Sequence, residues 1–263
     1  MPSRDLKIAL IPLDIIAFNP KANIEQLLSR LDSIDKDTDL IVVPETFTSG
    51  FTPDRAILSS IAEPNDGPTI TALRNWASAN QKAIWGTTIA CDETGNIYNR
   101  GFMIDDNGSV QFYDKHHLFS YGGENEIMTA GTHRPPTINY RSWNLRMSIC
   151  YDLRFPVWNR ARKNDYDILI VPANWAASRS YPWNQLLIAR AIENQICVMG
   201  CNRTGTDHYG NYNPTDTIAL DNWGKDISDR RSDGTVYATL SAEKFNNDRR
   251  RFAPWRDADD FTI

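Results

Sequence analysis

The chain has 263 residues, of which 41% are hydrophobic and 23% charged, and its formal net charge is −5. This length accommodates one large α/β domain or two small ones, and the apolar content excludes a disordered chain. The negative balance argues against a nucleic-acid partner, and the short run Arg249-Arg250-Arg251 reads as a solvated face rather than a phosphate clamp.

In chain order, residues 7–13 read as a first strand. Asn19 and Pro20 then start a helix in which Ile24, Leu27, Leu28 and Leu31 recur at i, i+3, i+4 and i+7. Residues 39–44 are a second strand, and Ile70, Leu73, Trp76 and Ala77 mark a second amphipathic helix. Strands follow at 83–90 and 99–104. Asp106-Asn107-Gly108 is a hairpin turn, because Asn-Gly tolerates the positive φ that such turns need, and 109–114 is the return strand. Residues 138–149 read as strand, turn, strand. Residues 157–163 read as helix, 167–171 as a buried strand, 183–195 as helix and 197–201 as strand. The alternation is that of the α/β or α+β class. No Gly/Ser/Pro-rich linker divides it, so residues 1–263 are expected to form a single domain.

Residues 8–18 are apolar and follow Arg4 and Lys7, but Pro12 and Asp14 interrupt them and no small-x-small cleavage site follows. No run reaches the ~18 apolar residues that a membrane span requires. A cytoplasmic protein with no membrane partner is expected. Of the cysteines Cys91, Cys150, Cys197 and Cys201, none forms a Cys-x-x-Cys pair, and a reducing compartment fits. Cys197 and Cys201 read as core filler. The four histidines lack a metal-ligand spacing, so neither a metal nor a cofactor is expected.

Reactive residues follow three strand-like runs. Glu45 follows residues 40–44, Lys115 follows 109–114, and Cys150 closes the run 144–150. In layered α/β proteins such strand ends share one rim, where sites form. Pro156 suits the first turn of a helix, which puts Cys150 at a strand-to-helix turn where a thiol stands clear beside backbone N–H donors. A buried, inert cysteine is the ordinary reading of one such residue. Three residues of complementary chemistry at one rim outweigh it.

Val43-Pro44-Glu45-Thr46-Phe47, the segment from Tyr113-Asp114-Lys115 to Phe119, and Cys150-Tyr151-Asp152-Leu153-Arg154-Phe155-Pro156 resemble the three signatures of the nitrilase superfamily of carbon–nitrogen hydrolases. Pro172-Ala173-Asn174-Trp175 and residues 189–195 are similar to the segments that follow in that family. The cysteine signature with Val157-Trp158, and residues 252–261, look most like its bacterial omega-amidase branch. The resemblance implies a four-layer α-β-β-α sandwich, a homodimer, and hydrolysis of the omega-amide of 2-oxo dicarboxylic acid monoamides such as 2-oxoglutaramate or 2-oxosuccinamate. It also implies a second glutamate seven residues before a glycine, which Glu124 satisfies with Gly131. Glu126 is its rival.

Amide hydrolysis needs a strong nucleophile and stabilisation of the tetrahedral oxyanion. Cys150 supplies the thiol, Glu45 the base, and Lys115 with the Tyr151 N–H the oxyanion donors. Glu124 orients Lys115. A Cys–His pairing through His116 or His117 is the alternative. Arg154 either pairs with Asp152 or forks onto a substrate carboxylate. Asn174 and Trp175 approach the same rim as candidate substrate-binding residues. Rival functions are an N-carbamoyl amino acid amidase, an aliphatic amidase or a nitrilase, and a non-catalytic scaffold. One departure stands out: Thr215-Asp216-Thr217 lies where related amidases carry Gly-Asp-Ser, and a threonine in place of glycine can alter a tight backbone. Residues 245–263 carry Phe252, Trp255 and Phe261 among charges. This tail is expected to dock on the body or on a partner subunit.

Overall fold

The computed structural model describes residues 1–260 and 262. The first half of the chain runs β1 (Leu6–Leu10), α1 (Pro20–Leu31), β2 (Leu40–Val42), α2 (Arg55–Ile61), α3 (Pro68–Asn80), β3 (Ala83–Cys91), β4 (Ile97–Ile104), β5 (Val110–Asp114) and α4 (Glu124–Ile127). There follow β6 (Ile138–Tyr140), β7 (Trp143–Met147), α5 (Pro156–Asn159), β8 (Ile168–Ala173), α6 (Ser180–Asn194) and β9 (Cys197–Asn202). The last part contains β10 (Gly205–Asp207), β11 (Gly210–Tyr212), β12 (Ile218–Leu220), β13 (Asp229–Arg230), β14 (Val236–Leu240) and α7 (Ala242–Arg251).

These strands build two main sheets, in the orders β13-β14-β1-β2-β3-β4-β5 and β12-β9-β8-β7-β6. In the first, β1, β2 and β3 run parallel, with Ile8 opposite Leu40 and Ile41 opposite Ile84. In the second, β7, β8 and β9 run parallel, with Met147, Ile170 and Met199 in register. Two alternating sets of apolar residues meet between the sheets. Leu6, Ile8, Leu10, Trp85 and Met103 pack in one cluster with Leu145, Met147, Ile168 and Ile170. Gly101 of β4 makes this approach feasible, because a methyl group there would collide with the Met147 sulfur.

Helices cover both outer faces. Leu27 and Leu31 of α1 and Ile70, Leu73 and Ala77 of α3 pack on Ile41, Ile84, Phe102 and Ile104. Trp183 and Leu187 of α6 sit over Gly200 of β9. The result is the four-layer α-β-β-α sandwich. Local signals account for its joints. Asn19 caps α1 by accepting from the Ala22 N–H at 3.1 Å, with Pro20 in the first turn. Gly108 takes φ 85° in the β4–β5 hairpin. Cys197 and Cys201 are buried core residues.

Two expectations fail. The helix after Cys150 ends at Asn159, not at residue 163. The Asn159 carbonyl accepts from Tyr166 Oη, and its side-chain amide donates to the Asp152 and Phe155 carbonyls. Tertiary partners therefore take the groups that would extend the helix, and Lys163 and Asn164 turn through positive φ. Nor is the run 249–251 simply a solvated face. Arg249 is buried, ion-paired to Asp167 at 2.7 Å and bonded to the Tyr166 and Gln195 carbonyls, which ties α7 to the second sheet. A cation can be buried in this way only because its donors are satisfied. In the tail, Trp255 lies 5.4 Å from the Arg249 guanidinium and Phe252 stacks on Trp223, while Phe261 lies outside the described residues. Among the described residues no helix is long and apolar enough to cross a membrane.

Candidate active site

β2 and β5 end at the same rim of the first sheet and deliver Glu45 and Lys115. β7 ends at the facing rim of the second sheet and delivers Cys150. Glu45, Lys115 and Glu124 are each at most 4% exposed. Lys115 Nζ donates to Glu45 Oε1 at 2.8 Å and to Glu124 Oε2 at 2.8 Å. Burial opposes the ammonium charge, but Glu124 and then Glu45 outweigh it and hold Lys115 protonated, well above the ordinary lysine range.

The carboxylates are further pinned. Asn99 Nδ2 donates to Glu45 Oε1 at 2.7 Å and to Glu124 Oε1 at 3.1 Å. The Asn174 N–H donates to Glu45 Oε2, and the Phe119 N–H to Glu124 Oε2. Asn99 was not apparent in the sequence, where an asparagine between Tyr98 and Arg100 resembles a surface strand residue. Its amide is oriented by Thr87, which donates to Asn99 Oδ1 at 2.9 Å while accepting from the Thr46 N–H at 2.7 Å. Glu126 is exposed, and Glu124 alone of the two reaches Lys115. The spacing to Gly131 has a physical origin. The Gly131 N–H donates to the Lys115 carbonyl at 2.9 Å, and a methyl group at Gly131 would strike the Asp114 carbonyl.

Cys150 has φ 45°, in the left-handed region, and Thr46 beside Glu45 has φ 41°. Non-glycine residues hold such angles only where the surroundings over-determine them. At Cys150 the surroundings are Asp152, which is fully buried. Its carboxylate accepts from the Ile149 N–H, the Tyr113 hydroxyl and the His117 N–H, and pairs with His117 Nδ1 at 2.8 Å. That arrangement answers two sequence questions. Asp152 serves the turn at Cys150 and does not pair with Arg154. His117 is held by Asp152 and stacked on Phe155, and His116 is stacked on Trp158, so neither histidine joins the cavity lining. Burial, and next the Glu45 carboxylate, push the Cys150 thiol well above its ordinary range, against a smaller pull from Lys115. The resting sulfur is therefore a thiol that needs a base at the moment of attack.

These groups line a cavity of about 420 Å³, within the size range of small-molecule sites. Tyr151, Arg154, Asn174 and Trp175 line it as well, together with Arg179 and Tyr212, which sequence reasoning did not single out. The Arg154 guanidinium lies 5.0 Å from the Trp175 ring. Trp175 is fixed through its backbone, donating N–H to Asn202 Oδ1 and accepting from Asn202 Nδ2. Asn202 in turn exchanges backbone hydrogen bonds with the Thr217 hydroxyl. Thr215 strains no backbone where related amidases carry glycine, because it is exposed in a 3₁₀ turn and has no positive φ. Among the described residues no group of three or more His, Cys, Asp or Glu side chains could hold a metal ion.

A buried thiol, a buried ammonium and two carboxylates at the rim of an α-β-β-α sandwich define a hydrolase acting on carbon–nitrogen bonds. The chain belongs to the carbon–nitrogen hydrolase family, whose model matches residues 7–250, and it is an amide-hydrolysing enzyme. It is 37% identical over 264 residues to the omega-amidase YafV of Escherichia coli K12, with 98% of each chain covered. It is 29% identical to the 2-oxoglutaramate amidase of Bacillus subtilis, over 90% of this chain and 91% of that protein. Among solved structures, XC1258 from Xanthomonas campestris superposes with a TM-score of 0.92 at 32% identity, over 99% of this chain and 100% of that one. That protein is described as a CN-hydrolase superfamily member with an arsenic adduct in its active site.

Proposed function

We propose that the enzyme hydrolyses the omega-amide of short 2-oxo dicarboxylic acid monoamides, with 2-oxoglutaramate and 2-oxosuccinamate as the type substrates, giving the acid and ammonia through a thioester on Cys150. Cys150 Sγ attacks the amide carbon while its proton passes to Glu45. The oxyanion is held by Lys115 Nζ and the Tyr151 N–H. Glu45 then hands the proton to the leaving nitrogen, the C–N bond breaks and ammonia departs. Water attacks the thioester, giving its proton to Glu45. The second tetrahedral intermediate collapses, the C–S bond breaks, and the sulfur recovers the proton as the acid leaves. Glu124 orients Lys115 throughout. Arg154, Asn174 and Trp175 bind the substrate.

The observation that carries this reading is the pairing of a neutral, buried Cys150 with Glu45 in a cavity that Arg154 also lines without an ion-pair partner among the described residues. Arg154 is half-buried and its guanidinium is unpaired, and a substrate carboxylate would give it a charge-assisted partner. The names of the two relatives, an omega-amidase and a 2-oxoglutaramate amidase, support the same substrate class. The test is ammonia release from 2-oxoglutaramate and from a neutral amide of equal length. Wild type is expected to favour the acid strongly, Cys150→Ala to lose turnover with its fold intact, and Arg154→Lys to raise KM for the acid most. Residual turnover in Cys150→Ala sinks the thioester, and equal use of both amides sinks the substrate assignment. We further propose a cytoplasmic homodimer. The exposed, stacked pair Trp223 and Phe252 supports a partner surface, and a monomer by light scattering at micromolar concentration would contradict it.

A further inference from the structure

Arg179 lies in a position that stability does not explain. It is the residue before Ser180, at the N-terminal end of the fifteen-residue helix α6, and its side chain makes no capping bond. A cation at the positive end of a helix dipole is unfavourable. Its guanidinium also has no carboxylate partner among the described residues; its recorded contact is the Phe119 ring, 5.4 Å away. The arginines that are fully buried are handled differently. The buried Arg146, Arg190, Arg203 and Arg249 each pair with an acid at 3.0 Å or less.

Arg154 and Arg179 form two arms of one device. Each holds its guanidinium over an aromatic ring, Trp175 at 5.0 Å and Phe119 at 5.4 Å respectively, and neither guanidinium donates a hydrogen bond to the described residues, so the N–H donors are available. The arms are joined, because Trp175 Nε1 donates to the Arg179 carbonyl at 2.7 Å. The charged side chains that line the cavity are the carboxylates of Glu45 and Glu124 and the cations Lys115, Arg154 and Arg179. Three cations against two carboxylates leave one positive charge in excess. A monoanion neutralises it. A zwitterion of the same length does not, and it also brings an ammonium beside two guanidiniums.

We propose that Arg179 is a second anion-binding, specificity-determining residue that shares with Arg154 the carboxylate and adjoining 2-oxo oxygen of the substrate. A 2-oxo acid presents three oxygens in one conjugated group. One fork accommodates two of them, and the third requires a second donor. This assignment rests on the omega-amide reading, but its test does not need turnover. Cys150 is alkylated with iodoacetamide, and modification of its peptide is followed by mass while 2-oxoglutarate or glutarate protects it.

In wild type, 2-oxoglutarate should protect at lower concentration than glutarate. Arg179→Gln should raise the protecting concentration of 2-oxoglutarate about 10- to 100-fold, the size of one charge-assisted hydrogen-bonded pair, and move glutarate less. Arg179→Lys should fall between, and Arg154→Gln should weaken both acids. Thermal midpoints of the variants, measured alongside, identify any loss due to unfolding, and Arg179→Lys then decides. Protection by 2-oxoglutarate that is unchanged within twofold in a folded Arg179 variant overturns the assignment, as does a wild type that neither acid protects. If 2-oxoglutarate protects through Arg179 while no omega-amide is hydrolysed, the anion site stands and the substrate reading alone fails.

Discussion

Replacing Lys115 with methionine keeps the stem and removes the ammonium between two buried carboxylates. Each Nζ–carboxylate contact is 2.8 Å. At an effective dielectric of about 20, each contributes roughly 6 kcal/mol of attraction, so the pair contributes about 12 kcal/mol gross. Removing three ions from water costs several kcal/mol apiece and offsets most of that. The variant has already lost the attraction yet still buries two carboxylates that share one donor, Asn99 Nδ2. A loss of about 3–5 kcal/mol in unfolding free energy is expected. The pH dependence separates this from a packing effect. The folded pKa of Lys115 is raised, so its contribution is fully present below the ordinary lysine value and fades only as pH rises through the still higher folded one. Wild type therefore gains no slope from Lys115 between pH 5 and 8. Lys115→Met leaves two buried like charges with no cation between them, so acid should relieve their repulsion and the deficit should shrink as pH falls. Urea denaturation of both proteins at pH 7.5 and pH 5, at equal protein concentration, reads the difference. A deficit under about 1 kcal/mol, or one that does not shrink at pH 5, would refute the coupled triad.

Alkylation of Cys150 by iodoacetamide should keep accelerating with pH beyond the ordinary thiol value of about 8.5, because burial and Glu45 raise the thiol. Glu45→Gln removes one raising influence and should shift that profile to lower pH; a plateau near the ordinary value in wild type would contradict the site's electrostatics. Asn99→Ala should lower kcat about 10- to 100-fold with little change in KM, since it deletes a donor shared by Glu45 and Glu124 and touches no binding residue. Steady-state kinetics with circular dichroism as a fold control decide this. A change confined to KM would assign Asn99 to substrate binding instead.

The residues that were readable in the sequence are those whose position follows from a strand's end. Glu45, Lys115 and Cys150 each follow an apolar run, and a parallel strand pattern delivers its last residue to a shared rim whatever the remaining fold does. Glu124 was readable only through the family resemblance, which sets a glutamate seven residues before a glycine, and the structure supplies the reason for that glycine: a Cβ at Gly131 would strike the Asp114 carbonyl. Asn99 and Arg179 leave no such mark. The strand position of Asn99 is set by pairing between β3 and β4, and its partners Glu45 and Glu124 lie 54 and 25 residues away. Arg179 follows small residues in a turn, where an arginine ordinarily points to water. The overlong helix at 157–163 fails for the same reason in reverse: local propensity favoured its continuation, and the long-range partners of Asn159 ended it.

The arrangement of the two sheets bears on the chemistry. Glu45 and Lys115 follow strands of one sheet and Cys150 a strand of the other, so the distance between the Cys150 thiol and the Glu45 carboxylate is set by how the sheets lie on each other. Three features fix that relation close to the site. Gly101 admits Met147, the Tyr113 hydroxyl of β5 reaches Asp152 at 2.9 Å, and the Asn174 N–H that follows β8 donates to Glu45 at 2.8 Å. Two of these three contacts end on carboxylates, Asp152, which holds the turn at Cys150, and Glu45 itself. A slip between the sheets would therefore break buried hydrogen bonds to carboxylates, which cost more than neutral ones. Packing between the sheets and the geometry of the proposed site thus depend on the same atoms, and the left-handed backbone at Cys150 and Thr46 is held in place by contacts of the same network.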